Sequence, residues 1–405
     1  MIKVLYVAHE NTKGGATYSL INLLDSLPKD IEAFVLIPKT LSFKDRFSKE
    51  KKPLMAAGTL DSELKKRDIN FRSAYYFYDN VNFPINILKK LVFKLLRKKE
   101  LKRIANFITH ENIEIIHTNS SVVSFGSDLA EMTNKPHFWH IRENAESMFG
   151  FTREDLIEYS NNIITKSDKI IFISGNLKED FFNLNSKFKL FSEKIEVIYN
   201  GIPLYEVNLT KSKDKIFNIF CFGTVYEIKG QEDLIELAKM MRDEKIFNFK
   251  ISIVGERKEQ YYEMLMKKIE EYQIVDFIEF VDYTSDVNSL RNKADLEVVC
   301  SRDEAFGRVA VESLRFGNPI IVTNVGGLDE IVEDRINGLK YKPGDIKQLY
   351  NCVSMILNNE IDVQLLVDRG RSRAEEFNIT NCANNIAQLY RGANAHESGY
   401  SFTDL

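Results

Sequence analysis

Cysteine, proline and glycine are all scarce in this chain: four, eight and 19 among 405 residues. Cys221, Cys300, Cys352 and Cys382 lie far apart with no C-x-x-C pair, which argues against a disulfide framework or a thiolate zinc site and predicts four buried thiols. So little glycine and proline excludes collagen-like and low-complexity chains. No apolar run approaches the roughly 18 residues of a membrane-spanning helix. The opening MIKVLYVAHE is too short an apolar run for a secretory signal and has no cleavage site behind it, so a cytoplasmic protein is expected. Charge of one sign is missing too: 55 Lys and Arg face 59 Asp and Glu, which is not the balance of a nucleic-acid-binding protein. No G-x-x-x-x-G-K-[ST] loop, G-x-S-x-G elbow or H-E-x-x-H occurs, which removes P-loop NTPase, α/β-hydrolase and zincin chemistry.

What is present is alternation. Short β-branched runs are separated by longer amphipathic stretches, the pattern of βαβ units feeding a parallel sheet. One series runs through residues 2–8, 33–38, 113–118, 137–141, 169–174 and 195–200; a second runs through 216–223, 249–255, 277–281, 295–300 and 319–323. The polar stretch 204–215 between them reads as a linker. The expected architecture is α/β, two Rossmann-like domains facing each other across a cleft, with ligands outside the carboxyl ends of the strands. The boundaries are 1–203 for the first domain and 204–377 for the second; a helix at about 378–391 packs back on the first, and 392–405 form a flexible tail. Residues 40–72 show no assignable period. Residues 86–108 read as one basic amphipathic helix, with Leu88, Leu91, Val92, Leu95 and Leu96 at helical spacing. Eight cations (Lys89, Lys90, Lys94, Arg97, Lys98, Lys99, Lys102 and Arg103) face Glu100 alone.

The strongest local constellation is the run from Ser301 to Leu314. It follows the buried strand DLEVVC and opens a helix that must stop near Gly317-Asn318-Pro319. Glu304 falls on the loop at the strand's carboxyl end, and Glu312 falls inside the first turns of the helix. On their own, two such carboxylates are as readily solvated surface groups as site residues. Glu304 beside Phe306-Gly307 at a strand end shifts the balance toward a site. Glu304 and Glu312 form E-x(7)-E, and the run EAFGRVAVESLRFGNPIIVTNVGGLDEIVEDRINGLKYKPGD resembles the retaining nucleotide-sugar glycosyltransferases of family 4, which have the GT-B architecture. The resemblance extends to FGTVYEIKGQEDLIELA, NGIPL, HIRE and GGATYSLINLL, in the family's order.

Carried over residue by residue, the resemblance implies that Glu304 faces the donor sugar and that Glu312 accepts hydrogen bonds from the nucleotide ribose. Lys229, framed by Gly223 and Gly230, would neutralise the donor diphosphate as the glycosidic bond breaks. Phe306 and Gly307 complete the donor loop. Thr224 stands where family members commonly have Arg, and Arg308 is the candidate to replace that charge; as a bare helix arginine it would be surface. Gly14 and Gly15, between the first strand and helix, would bring backbone N–H groups to a phosphate; a tight turn is the plain alternative. Gly326-Gly327 serves phosphate or packing. His140 matches the family's histidine near the reacting sugar, with its side chain expected at the cleft mouth. His117, ending the neighbouring strand, is the runner-up. Arg142, with Glu143, would meet acceptor or phosphate. No D-x-D occurs, so metal independence is implied, with no cofactor and with the nucleotide-sugar, UDP foremost, as a substrate.

The resemblance implies a hexosyltransferase acting in surface polysaccharide or capsule synthesis on a glycan, foremost a lipid-linked one. The helix at 86–108 would dock on anionic lipid at the inner face of the membrane. Thr224 keeps open a catalytically silent subunit of the same fold that binds glycan or nucleotide beside a partner enzyme. An epimerase or phosphorylase on a similar fold lacks the E-x(7)-E run.

Overall fold

The near-continuous apolar run IKVLYVA forms strand β1, Ile2–Ala8, as expected of a strand covered by helices on both faces. The computed structural model of the chain describes residues 1–12, 14–39, 59–76, 87–203, 216–284 and 286–397. With β2 (Ile31–Pro38), β3 (Asn70–Ala74), β4 (Ile115–Asn119), β5 (His137–Ile141), β6 (Lys169–Phe172) and β7 (Ile195–Val197), β1 builds a parallel sheet ordered β3-β2-β1-β4-β5-β6-β7. A second parallel sheet contains β8 (Phe217–Phe222), β9 (Phe249–Val254), β10 (Ile278–Val281), β11 (Leu296–Val299), β12 (Ile320–Thr323) and β13 (Leu339–Tyr341), ordered β10-β9-β8-β11-β12-β13. The chain is thus mixed α/β with two Rossmann-like units. One comprises Met1–Pro203 and the chain from Ile379 onward, the other Leu204–Asn378. In each sheet the strand order turns at one place, between β1 and β4 and between β8 and β11, and there the carboxyl ends leave room for a ligand.

The helix Ile379–Glu397 belongs to the core of the first unit. Its Cys382, Ala383, Ile386, Ala387 and Tyr390 recur at helical spacing and pack with Ile2, Val4, Tyr6, Leu20 and Ile21. Gly201 permits this return, since a Cβ there would stand 2.3 Å from the Ile379 Cα. The stretch GANAHE, expected as flexible tail, continues the helix through Glu397, with Ala393 still packed on the core. The second core gathers around Ile219, Ile251, Leu296 and Val298 of the sheet and Leu234, Leu237 and Leu265 of the helices.

Two strands lie outside the expected series. β3 follows the helix Leu60–Lys66 inside the stretch without period, and β13 closes the second sheet with three residues. The linker at 204–215 lies outside the described residues. The basic helix spans Ile87–His110. Leu95, expected to pack, is 63% exposed. The core-facing side of this helix is carried by the buried Ile104 and Ile108, and Leu95 falls half a turn away from Ile104. The side chains of residues 87–94 lie outside those described. Among the described residues no helix is long and apolar enough to cross a membrane. All four cysteines are free and buried.

Candidate active site

In the second unit the polar groups gather where β8 and β11 end. β8 runs into Gly223 at φ +135°. Gly230, at φ +66°, lies so near the end of β11 that a Cβ there would come within 2.1 Å of the Cys300 carbonyl oxygen. The Arg302 N–H donates to the Ile228 carbonyl at 2.6 Å. These two approaches lay the turn at 227–230 on the loop after β11, and so Lys229 meets Glu304, with Nζ donating to Oε2 at 2.5 Å. Ser301 Oγ donates to the same oxygen at 3.3 Å. Burial pulls the Lys229 pKa down, but the Glu304 charge and hydrogen bond outweigh it and hold the ammonium above its ordinary value. Arg302 is spent on anchoring this loop: its guanidinium grips the buried Asp233, which also accepts from the Tyr341 hydroxyl at 2.9 Å.

Glu312 lies on the helix Arg308–Phe316, entered through Gly307 at φ +103° and left through Gly317 at φ +90°. Arg308 Nε donates to its Oε1 at 2.6 Å, and Arg291 Nη2 donates to its Oε2 at 3.2 Å. Burial alone would raise this carboxyl's pKa, yet the guanidiniums of Arg291 and Arg308 hold it below the ordinary carboxylate range. Each oxygen keeps a lone pair for a further donor. Arg308 Nη1 is buried without a hydrogen-bond partner among the described residues. Arg291 was not foreseen. It sits 21 residues before Glu312, on the short helix Val287–Arg291, with its guanidinium 5.0 Å above the Phe222 ring. No motif marks it.

One expectation for this unit is revised, and one open choice falls to packing. The Phe306 ring is not presented to a ligand; it is 3% exposed and meets Phe377 edge-on at 5.7 Å, so only its backbone lines the loop. Gly326 and Gly327 serve packing. A Cβ on Gly326 would fall 2.0 Å from the Glu304 carbonyl oxygen and one on Gly327 2.2 Å from that of Phe306, while the Gly327 N–H donates to the Glu304 carbonyl at 2.8 Å. The glycine pair therefore shapes the backbone that carries Glu304. Thr224 contributes its carbonyl to Gln231 Nε2 at 3.0 Å.

In the first unit, alternation along the strands turns Tyr6 of β1, His117 and Asn119 of β4, His140 of β5 and Arg142 beyond it to one face, where Tyr390 of the C-terminal helix also lies. Both histidines depart from expectation. Each is wholly buried, and His117 is in mid-strand, because Tyr390 fills the layer above them. Tyr390 Oη lies 2.7 Å from His117 Nδ1 and 3.0 Å from Tyr6 Oη, and His117 Nε2 lies 3.1 Å from His140 Nδ1. His140 Nε2 is buried without a partner among the described residues. Burial first, and the Arg142 charge second, hold both histidines well below their ordinary pKa. Arg142 Nε donates to Asn119 Oδ1 at 2.6 Å and its Nη1 to Asn200 Oδ1 at 2.7 Å. On the other face, Glu143 Oε2 accepts from the Ser121 N–H at 2.8 Å, and His9 Nδ1 lies 3.7 Å from Glu143 Oε1. His9 was missed, although its place directly after β1 at the turn of the strand order was a usable signal.

Gly14 caps the helix Gly15–Asp25, its N–H donating to Thr12 Oγ1 at 3.1 Å. A Cβ on Gly15 would meet nothing within 4 Å, so that side of the turn is open, and the buried Thr17 Oγ1 behind it has no partner among the described residues. Among the described residues no three His, Cys, Asp or Glu side chains gather to hold a metal ion.

Two parallel-sheet Rossmann-like units, with charged side chains gathered where the strand order turns, define the GT-B class of glycosyltransferases. The chain belongs to the group 1 glycosyltransferases. Residues 206–373 match the family described as "Glycosyl transferases group 1". An uncharacterized glycosyltransferase of Methanocaldococcus jannaschii is 30% identical over 302 residues, covering 70% of this chain and 77% of that protein. The capsular polysaccharide biosynthesis glycosyltransferase CapM of Staphylococcus aureus is 25% identical over 224 residues, 51% of this chain and 56% of CapM. Among solved structures, Anabaena HepE in complex with UDP and glucose superposes with a TM-score of 0.75 at 20% identity, over 96% of this chain and all of HepE.

Proposed function

We propose that this glycosyltransferase is a retaining family 4 hexosyltransferase. It takes a sugar from a UDP-sugar and adds it to a lipid-linked glycan in surface polysaccharide synthesis, without a metal ion. The observation that carries this reading is the Lys229–Glu304 pair beside the arginine-held Glu312 at the ends of β8 and β11. Glu312, ionised and with lone pairs to spare, suits the vicinal hydroxyls of a ribose. Before the donor arrives, Lys229 neutralises Glu304; an arriving diphosphate draws the ammonium and frees Glu304 to hold a sugar hydroxyl. As the bond between the sugar C1 and the phosphate oxygen breaks, negative charge collects on the leaving diphosphate, where Lys229 and the unpartnered Arg308 Nη1 stabilise it. Those cations take the part a divalent ion plays elsewhere. The acceptor hydroxyl forms its bond to C1 on the face the diphosphate leaves, and its proton passes to a diphosphate oxygen, so no side chain acts as a strong base.

Two names support the donor and the setting: HepE was solved with UDP and glucose, and CapM is a capsular polysaccharide enzyme. The first unit would take the acceptor, with Arg142 as an anion contact, the open Gly15 side of the turn offering its N–H to an oxyanion and His140 one ring nitrogen. His117 serves behind His140. The basic helix Ile87–His110 would hold the enzyme on the inner face of the membrane. The test is to incubate the enzyme with a panel of UDP-sugars and membrane-extracted lipid-linked acceptor, and to read the new linkage by NMR. An α linkage from an α-linked donor, formed equally in EDTA, is expected. A β linkage or loss of turnover with chelator overturns the mechanism, and nucleotide binding without turnover on any acceptor would favour the silent subunit that Thr224 leaves open.

A further inference from the structure

We infer that Glu297, on β11, is a positioning residue for the nucleotide: it holds back one half of the Arg291 guanidinium edge from Glu312, so that the Glu312 oxygens stay open to ribose hydroxyls. The inference rests on the donor-site reading of Glu312 above and adds to it the residue that tunes that contact.

Glu297 interrupts an otherwise apolar strand. It stands in register with Phe220 of β8 on one side and Ile320 of β12 on the other, inside the sheet, and is 1% exposed. A carboxylate buried there is costly unless it is paired and hydrogen-bonded. Two residues meet it. Asn318 Nδ2 donates to Glu297 Oε1 at 2.7 Å and to the Arg291 carbonyl at 3.0 Å, which clasps the end of the helix Val287–Arg291 to the strand. Arg291 Nε lies 3.4 Å from the same Oε1, while Arg291 Nη2 donates to Glu312 Oε2 at 3.2 Å. Burial raises the Glu297 pKa, and the Arg291 charge opposes that rise.

Nε and Nη2 are the two donors of a single guanidinium edge, the edge that can grip one carboxylate with two parallel hydrogen bonds. Here the edge is divided between two carboxylates. The division matters for Glu312, whose two oxygens offer about four lone-pair sites. Arg308 Nε occupies one on Oε1 and Arg291 Nη2 one on Oε2. The Glu312 side chain is 19% exposed, so further donors can reach it from outside. Without the charge at 297 the pull on Nε is lost, and the edge turns to grip Glu312 with both donors. Three N–H groups would then compete with a vicinal diol for the same two oxygens. Glu297 therefore acts through Arg291 and touches no ligand.

Calorimetric titration of the full-length protein with UDP and with 2′,3′-dideoxy-UDP isolates the ribose contact, because the two nucleotides differ only in the diol. The wild type should prefer UDP about 10- to 100-fold, the worth of hydrogen bonds to a charged group. Glu297→Gln, which keeps the shape and loses the charge, should cut that preference about tenfold, with affinity for the dideoxy nucleotide unchanged. Damage to the fold would instead weaken both nucleotides alike. That result overturns the inference, and so does a preference equal to that of the wild type. If Glu297→Gln is not recovered folded, Glu297→Asp keeps the charge but draws it back by one methylene, and should lower the preference in the same direction by a smaller factor; an unchanged preference there overturns the inference as well. A wild type that binds both nucleotides equally, or neither, would refute the donor-site reading of Glu312 itself. A wild type that discriminates, beside a Glu297→Gln that discriminates as strongly, refutes only the role of Glu297.

Discussion

Glu304 and Glu312 are chemically alike, and their neighbours assign them different work. Glu304 shares its charge with one lysine that a diphosphate can draw away, whereas Glu312 is held between the two guanidiniums of Arg291 and Arg308. Glu304→Gln should therefore abolish transfer while a UDP titration stays nearly unchanged. Glu312→Gln, which keeps the shape but loses the charged hydrogen bonds, should weaken UDP by about 1.5–3 kcal/mol. If both variants lose UDP equally, the division of labour is wrong. The two glutamates were legible because the chain spaces them within one loop and helix. Arg291 and Tyr390 were not: Arg291 comes from a five-residue helix and Tyr390 from the last helix, and no spacing in sequence relates either to its partner. His140 and His117 were found but wrongly placed, since a strand residue's burial depends on what covers the sheet, which here arrives at the end of the chain.

Strands read well where both faces are covered, as in β1, β4, β8 and β11, since unbroken β-branched runs have few other uses. β3 and β13 escaped for the opposite reason. NFRSA is a polar edge strand and LKY is three residues long, too short for a period. The helix Ile87–His110 was found as a helix but its exposed side was misjudged. Leu95, Lys98, Lys99 and Lys102 are exposed and recur at i, i+3, i+4 and i+7, one stripe of the helix. Arg97 pairs with Asp128 at 2.7 Å and lies over Phe125, and Arg103 donates to the Ser73 carbonyl at 2.6 Å, so these two arginines secure the helix to its own unit. The membrane test should spare them. Lys98, Lys99 and Lys102 changed together to Glu should cost about 3 kcal/mol of binding to phosphatidylserine vesicles at low salt, with far-ultraviolet circular dichroism unchanged. Sedimentation that does not differ between wild type and variant would mean that this stripe is an ordinary solvated surface.

The whole first unit carries a pH liability. His117, His137 and His140 are all buried and neutral, His137 with its pKa down to about 4, chiefly through burial. Between about 6.5 and those lowered values the unfolded chain binds protons that the native chain refuses, so stability falls as the pH falls through that window. Each histidine contributes up to about 1.4 kcal/mol per pH unit, roughly 4 for the three. Trp139, the chain's one tryptophan, is buried on β5 between two of them, and its fluorescence reports this unit alone. Its urea midpoint should drop steadily from pH 7 to pH 5; a flat profile would contradict neutral burial. The route of the chain has a consequence for synthesis. The first unit is left at Pro203 and rejoined at Ile379, so a ribosome exposes its sheet before making the helix that covers it. At about 5–20 residues per second the wait is roughly 10–35 seconds, during which the second unit can fold unaided while the first holds an open apolar groove. A chain stopped at Asn378 should show a protease-resistant second unit and a degraded first one. The first unit thus stays unfinished until the helix that begins at Ile379 is made, when that helix seals it and sets its buried histidines in place.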